Sequence, residues 1–128
     1  MVSWKEYTDI ARDRGALALE LYVVTSTPAK GPKAVKESLP DHLAYQREME
    51  ESGKLVMAGP MSDATGEHMQ GVGLIVYRAN SLEEAAALTE ADPMHATGAR
   101  SFEIRKWLVN EGNLSINVGL STGHAKLS

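Results

Sequence analysis

The sequence predicts an α+β domain of the ferredoxin-like type: a βαββαβ core with an antiparallel sheet and both helices on one face. Three observations predict it. Apolar, strand-forming runs and helical stretches follow one another as strand–helix–strand–strand–helix–strand, the split βαβ order. The two core helices carry clear start signals, Ser38-Leu-Pro-Asp41 and Ser81-Leu-Glu-Glu84. Only a polar stretch, with no helical periodicity, separates the second strand from the third, which makes that pair a hairpin.

Ahead of the core, Ser3 is an N-cap. Apolar residues at Trp4, Tyr7, Ile10 and Ala11 have helical spacing up to Arg14, and Gly15 ends the helix. Leu17 to Thr25 is almost wholly apolar and reads as a central strand buried on both faces. Ser26 to Glu37 holds Pro28, Gly31 and Pro32 with three lysines, and reads as a surface loop. The helix capped by Ser38 has Pro40 in its first turn and stops at Gly53. Its apolar stripe runs through Leu39, Leu43 and Met49. His42, near its start, and Gln46 fall on or beside that stripe, so His42 should face the protein.

Leu55 to Ala58 is a short strand ending in Gly59-Pro60, and Met61 to Gln70 is the hairpin loop. Gly71 to Arg78 is the next strand; its Gly71 and Gly73 suggest a bulge or close packing. The Ser81 capping box opens a helix to about Ala91. Asp92-Pro93 and a turn to Gly98 lead into the last core strand, Ser101 to Leu108. Leu114, Ile116 and Val118 alternate enough for one added strand in the tail. The chain is thus read as a single domain, 1–128, with its core at about 17–108. Residues 1–16 form a helical extension and 109–128 a C-terminal one.

Composition narrows the function. The chain has 128 residues, 43% hydrophobic and 23% charged, which is ordinary for one globular domain. A net charge of −4 without a basic block argues against nucleic acid. With no cysteine there is no disulfide, thiolate nucleophile or thiolate metal site. No apolar run reaches the roughly 20 residues that span a bilayer, and the polar first residues lack a signal-peptide core. A cytoplasmic protein is expected.

Crossover handedness places the first and third strands side by side, read as parallel, with the last strand antiparallel to the first on its other side. The first core helix begins where strand one ends. The second ends where strand four begins. His42 and Asp92 therefore share one edge of the sheet. A histidine backed by a carboxylate is a proton-transfer device, because the carboxylate fixes the tautomer and stabilises the cation. Thr25 and Ser26, ending strand one, and Arg100, opening strand four, lie at the same edge as candidate substrate donors.

Each residue also has a plainer reading. His42 could be a packing residue beside an apolar stripe, and Asp92 an N-cap for the turn that Pro93 begins. His95 is close enough in sequence to replace His42 as the partner of Asp92. A metal site from His42, His68, His95 and Asp92 is arithmetically possible, but the hairpin loop places His68 at the opposite sheet end, which counts against it. His124 reads as surface; Tyr77 and Trp107 read as core or interface.

Gly59-Pro60-Met61, the Gly71-Val-Gly73-Leu-Ile-Val strand, Ser81-Leu-Glu-Glu-Ala85 and Asp92-Pro93-Met94 form an ordered set. With His42 before them and Ile104-Arg-Lys-Trp107 after, the chain resembles the YCII-related (YciI-like) family over about Leu19 to Trp107. The resemblance implies a dimeric ferredoxin-like fold, an α/β barrel-type assembly, with a His–Asp dyad mapping onto His42 and Asp92. It departs from the compact pattern in its N-terminal helix, lysine-rich segment and tail. One activity in that family is dehydrochlorination of a chlorinated hydroxyhydroquinone. The expected function is a cofactor-free lyase on an aromatic or quinone substrate. Elimination needs no redox group, and no metal is expected. The alternatives are an isomerase acting on a cyclic diene or lactone, and a non-enzymatic dimeric ligand-binding module. The open sheet face should be covered by a second copy.

Overall fold

The computed structural model describes all residues, 1–128, and the chain forms two compact units, Glu20–Trp107 and Met1–Leu19 with Leu108–Ser128. In the first, β1 (Leu19–Pro28), β3 (Met69–Tyr77), β2 (Leu55–Ser62) and β4 (Arg100–Val109) form one sheet in the order β2-β3-β1-β4. Three helices complete this unit: α2 (Pro32–Glu51), α3 (Leu82–Ala91) and the single turn α4 (Pro93–Ala96).

The sheet is antiparallel, and this corrects the pairing expected for its centre. β1 runs antiparallel to β3, with Tyr22 opposite Tyr77, Val24 opposite Ile75 and Ser26 opposite Gly73. The α2 crossover makes β1 parallel to β2, its second neighbour, and the β2–β3 hairpin then reverses direction. β4 also runs antiparallel to β1. Its start lies beside the end of β1, where the Ala29 amide donates to the Ala99 carbonyl at 2.9 Å. Its end lies beside the start of β1, where Lys106 is 4.0 Å from Glu20. The edge argument for His42 and Asp92 used only this second pairing.

Alternation along β1 decides what it buries. Tyr22, Val24 and Ser26 are buried on the helix face. On the other face Leu21 is buried, whereas Val23 and Thr25 are partly open, so β1 is buried on both faces only near its start. Val24, Ile75 and Tyr77 pack against Met49, Tyr45, Leu88, Phe102 and Ile104, the core under α2 and α3. Each such aliphatic side chain contributes about 1.5–3 kcal/mol by leaving water.

The segment read as a loop before His42 is largely structured. β1 continues to Pro28, and α2 begins at Pro32 after Gly31. Pro32 occupies the first turn, where a missing N–H costs nothing. Pro40 consequently lies inside the helix, and Ser38 is a buried residue rather than the cap. His42 is mid-helix. The inward stripe of α2 is Ser38, His42, Tyr45 and Met49; Leu39 and Leu43 are exposed instead. The hairpin is also tighter than expected, because the strands extend to Ser62 and resume at Met69.

In the other unit, Ser3 caps α1 (Trp4–Asp13) in a reciprocal box with Glu6. Ala11, Ala18 and Leu108 form its small apolar cluster. The tail makes two strands, β5 (Ile116–Val118) and β6 (Ala125–Leu127), which pair with each other rather than joining the core sheet. No helix is long and apolar enough to cross a membrane.

Candidate active site

The α3–α4 junction builds the site around Asp92. Its extended backbone (φ −61°, ψ 125°) ends α3 and caps α4, with Oδ1 accepting from the Met94 amide at 2.9 Å. Pro93, lacking an N–H, fits the first position of that turn. Asp92 is fully buried. From α2, His42 Nδ1 reaches Oδ1 at 2.8 Å and Oδ2 at 2.9 Å. One turn on, Gln46 Nε2 donates to Oδ2 at 3.3 Å. Burial pushes the Asp92 carboxyl up, but hydrogen bonds from His42 and the Met94 amide outweigh it and hold the group below its ordinary value. A carboxylate on Nδ1 sets the tautomer with the proton there, leaving Nε2 bare and without a protein partner.

His42 lines an open cleft of about 1380 Å³. One wall is the exposed face of α2 with Leu39 and Leu43; the others include Met57, Met69 and Ile75. The polar groups are few: His42, Gln46, Ser26 and Arg100 among them. Mostly apolar walls with convergent polar groups are the usual make-up of a small-molecule site.

The end of β1 and the start of β4 supply a second polar cluster. Arg100 donates from Nε to Ser26 Oγ at 2.8 Å and from Nη2 to the Ser26 carbonyl at 2.7 Å, and also to the Gly71 carbonyl. Gly71 has φ +87°, and a Cβ there would meet the Pro28 ring at 3.0 Å, so glycine is required where Arg100 anchors. Burial lowers the Arg100 pKa, opposed by the charge of Asp92, but an arginine stays charged. His95, on α4, has Nδ1 2.9 Å from the Thr89 carbonyl and Nε2 2.8 Å from Ser26 Oγ.

The structure therefore brings His42 to Asp92, and Ser26 to Arg100, at one edge. Thr25 goes elsewhere: it pairs with Leu74 on the face opposite Ser26 and is not on the cleft wall. The His95 ring is partnered by Ser26 and the Thr89 carbonyl, not by the Asp92 carboxylate. His68 sits by Asp63 in the hairpin at 3.5 Å, away from the other histidines. Sequence reasoning overlooked the Ser26–His95 contact and the hold of Gln46 on Asp92. The second was readable as the i, i+4 neighbour of His42.

A model of the YCII-related domain matches residues 20–108. The chain belongs to the YCII-related family. YjpA of Bacillus subtilis (strain 168), a protein of uncharacterised function, is 33% identical over 87 residues, covering 68% of this chain and 95% of YjpA. Among solved structures, the chain is similar to the 5-chloro-2-hydroxyhydroquinone dehydrochlorinase TftG from Burkholderia phenoliruptrix AC1100, in complex with 2,5-dihydroxybenzoquinone. The TM-score is 0.57 at 22% identity, over 68% of this chain and 92% of that one. That likeness establishes the shared fold. The N-terminal helix and the tail lie outside the matched family region.

Proposed function

We propose that this member of the YCII-related family is a cofactor-free lyase that removes HCl from a chlorinated hydroxyhydroquinone. The observation that carries the reading is His42: Nδ1 tied to a buried carboxylate, Nε2 without a protein partner, on the wall of a cleft large enough for a ring. The neighbouring fold of an enzyme named for this reaction supports the choice of substrate.

The balance of the reaction defines the work. A chlorinated 1,2,4-trihydroxybenzene becomes a hydroxyquinone by losing two hydroxyl protons, para to each other, and chloride. The carbon that held chlorine gains one hydrogen. His42 Nε2 takes the first hydroxyl proton, and Asp92 stabilises the imidazolium. The ring ketonises as His42 returns that proton to the chlorine-bearing carbon. When the second hydroxyl loses its proton, its electrons move through the ring, and the C–Cl bond breaks. Arg100 and Ser26 are the proposed substrate contacts, with Arg100 placed to stabilise the developing oxyanion. Thr25, on the other sheet face, has no part in this scheme.

The same reading includes a homodimer. The sheet face opposite the helices carries an apolar depression lined by Val23, Met57, Leu74, Val76 and Trp107. A second copy covering it would remove that surface from water. Light scattering on the purified chain reads the mass directly.

The test of function is chloride release from halogenated hydroxyhydroquinones by the parent chain, under anaerobic conditions. Turnover that is lost in His42→Ala and Asp92→Asn, both still folded, is the expected result. No release from any of these substrates overturns the assignment and favours a binding module.

A further inference from the structure

The scheme above, on which this inference rests, leaves one proton without an acceptor: that of the second hydroxyl. We propose that Ser26 and His95 form a second proton-accepting pair in the same cleft, Ser26 taking the proton from the ligand hydroxyl and His95 taking the serine's own.

Hydrogen-bond bookkeeping carries it. The Thr89 carbonyl can only accept, so His95 Nδ1 must hold a proton. In the neutral ring Nε2 is then a lone pair. Ser26 Oγ, 2.8 Å away, must donate to it. Arg100 Nε, 2.8 Å from the same oxygen, must donate into it. Ser26 Oγ thus gives its proton to an imidazole and receives one hydrogen bond from a guanidinium. Its other lone pair is uncommitted. Ser26 lines the cleft together with His42.

The groups around His95 suit transient protonation. Asp92, at the α3–α4 junction, favours the cation; Arg100 from β4 and His42 from α2 disfavour it. Burial is the largest influence and lowers its pKa, leaving the ring neutral and able to accept at neutral pH. Phe102 lies with its ring centroid 4.9 Å from the imidazole and helps hold it in place.

The step balances. The ligand O–H breaks and Ser26 gains that proton. The Ser26 O–H breaks and His95 Nε2 gains its proton. The ligand's freed electron pair forms C=O, and chloride leaves with the electrons of the C–Cl bond. His42, having returned its proton to carbon, ends as it began. His95 carries one extra proton, which passes to water. The substrate class follows: a hydroquinone whose two para hydroxyls meet two separate bases.

The test uses two readouts in the full chain. Deuterium uptake at ring carbon of unchlorinated 1,2,4-trihydroxybenzene, followed anaerobically by NMR, reports the His42 half-reaction. Chloride release from the chlorinated compound reports both halves. In Ser26→Ala and His95→Gln, chloride release should fall on the order of 100-fold, and at least tenfold more than deuterium uptake. Equal loss of both readouts in both variants would mean a structural role and overturn the proposal, as would parental chloride release in either. A parent that performs neither reaction removes the proposed function itself, and this inference with it. A parent that performs both reactions, with variants that lack the selective loss of chloride release, removes only the second pair.

Discussion

Replacing Asp92 with asparagine separates its electrostatic role from its capping role. Asparagine is nearly as good an N-cap, so the bond from the Met94 amide survives. What is lost is the charge facing His42, which is engaged through both carboxylate oxygens. One charge-assisted hydrogen bond in a buried setting contributes about 1.5–3 kcal/mol. Asp92→Ala also loses the cap, about 1 kcal/mol more, for a total of about 2.5–4 kcal/mol. That total agrees with the roughly 3–5 kcal/mol seen when one partner of a buried pair is removed. Urea unfolding at pH 7 measures both. The sign of the pH dependence follows from the lowered Asp92 pKa. The carboxylate's contribution is present above the unfolded-state value of about 3.9 and is lost as pH falls through the folded-state value. The gap between parent and Asp92→Asn should therefore shrink below about pH 4. An asparagine variant as stable as the parent at pH 7, or a gap unchanged in acid, would refute this reasoning.

Three further outcomes are expected. Tyr45 donates to the Leu88 carbonyl at 2.6 Å, tying α2 to α3, and Tyr45→Phe should cost about 0.5–1.5 kcal/mol in urea unfolding. Gly71→Ala should destabilise by about 1–2 kcal/mol from its positive φ alone, and should weaken ligand binding, read by calorimetry, because the Arg100 anchor shifts. Pro40→Ala should stabilise the chain by about 2 kcal/mol in thermal or urea unfolding. An interior proline costs about 3 kcal/mol, less about 0.4–1 kcal/mol for the stiffer unfolded chain.

The core order and the shared edge of His42 and Asp92 were legible because both follow from chain connectivity. Antiparallel entry of β4 beside β1 brings the start of α2 and the end of α3 to one edge; the packing of α2 then sets His42, at its middle, against Asp92. Helix boundaries were less legible. Pro40 after Ser38 imitates a helix start, and only tertiary burial of Ser38 and Met49 shows that α2 runs through it. The choice between Thr25 and Ser26 was open to decision by strand alternation. Ser26 has the parity of Tyr22 and Val24, so it shares the helix face, and Thr25 cannot. The position of His95 was not legible: a one-turn helix after Asp92-Pro93 rotates it towards β1, and no periodicity covers four residues. The tail's alternation was read correctly at Ile116 and Val118. Its partner, Ala125–Leu127, is too short to signal itself.

The central claim is that His42 acts as a proton acceptor in the cleft, and chemical rescue tests it most directly. His42→Ala should lose chloride release by a factor of about 10² to 10⁴. Added imidazole should restore part of it, with a pH dependence that follows the free imidazole. Parental turnover in His42→Ala, with or without imidazole, would contradict the account.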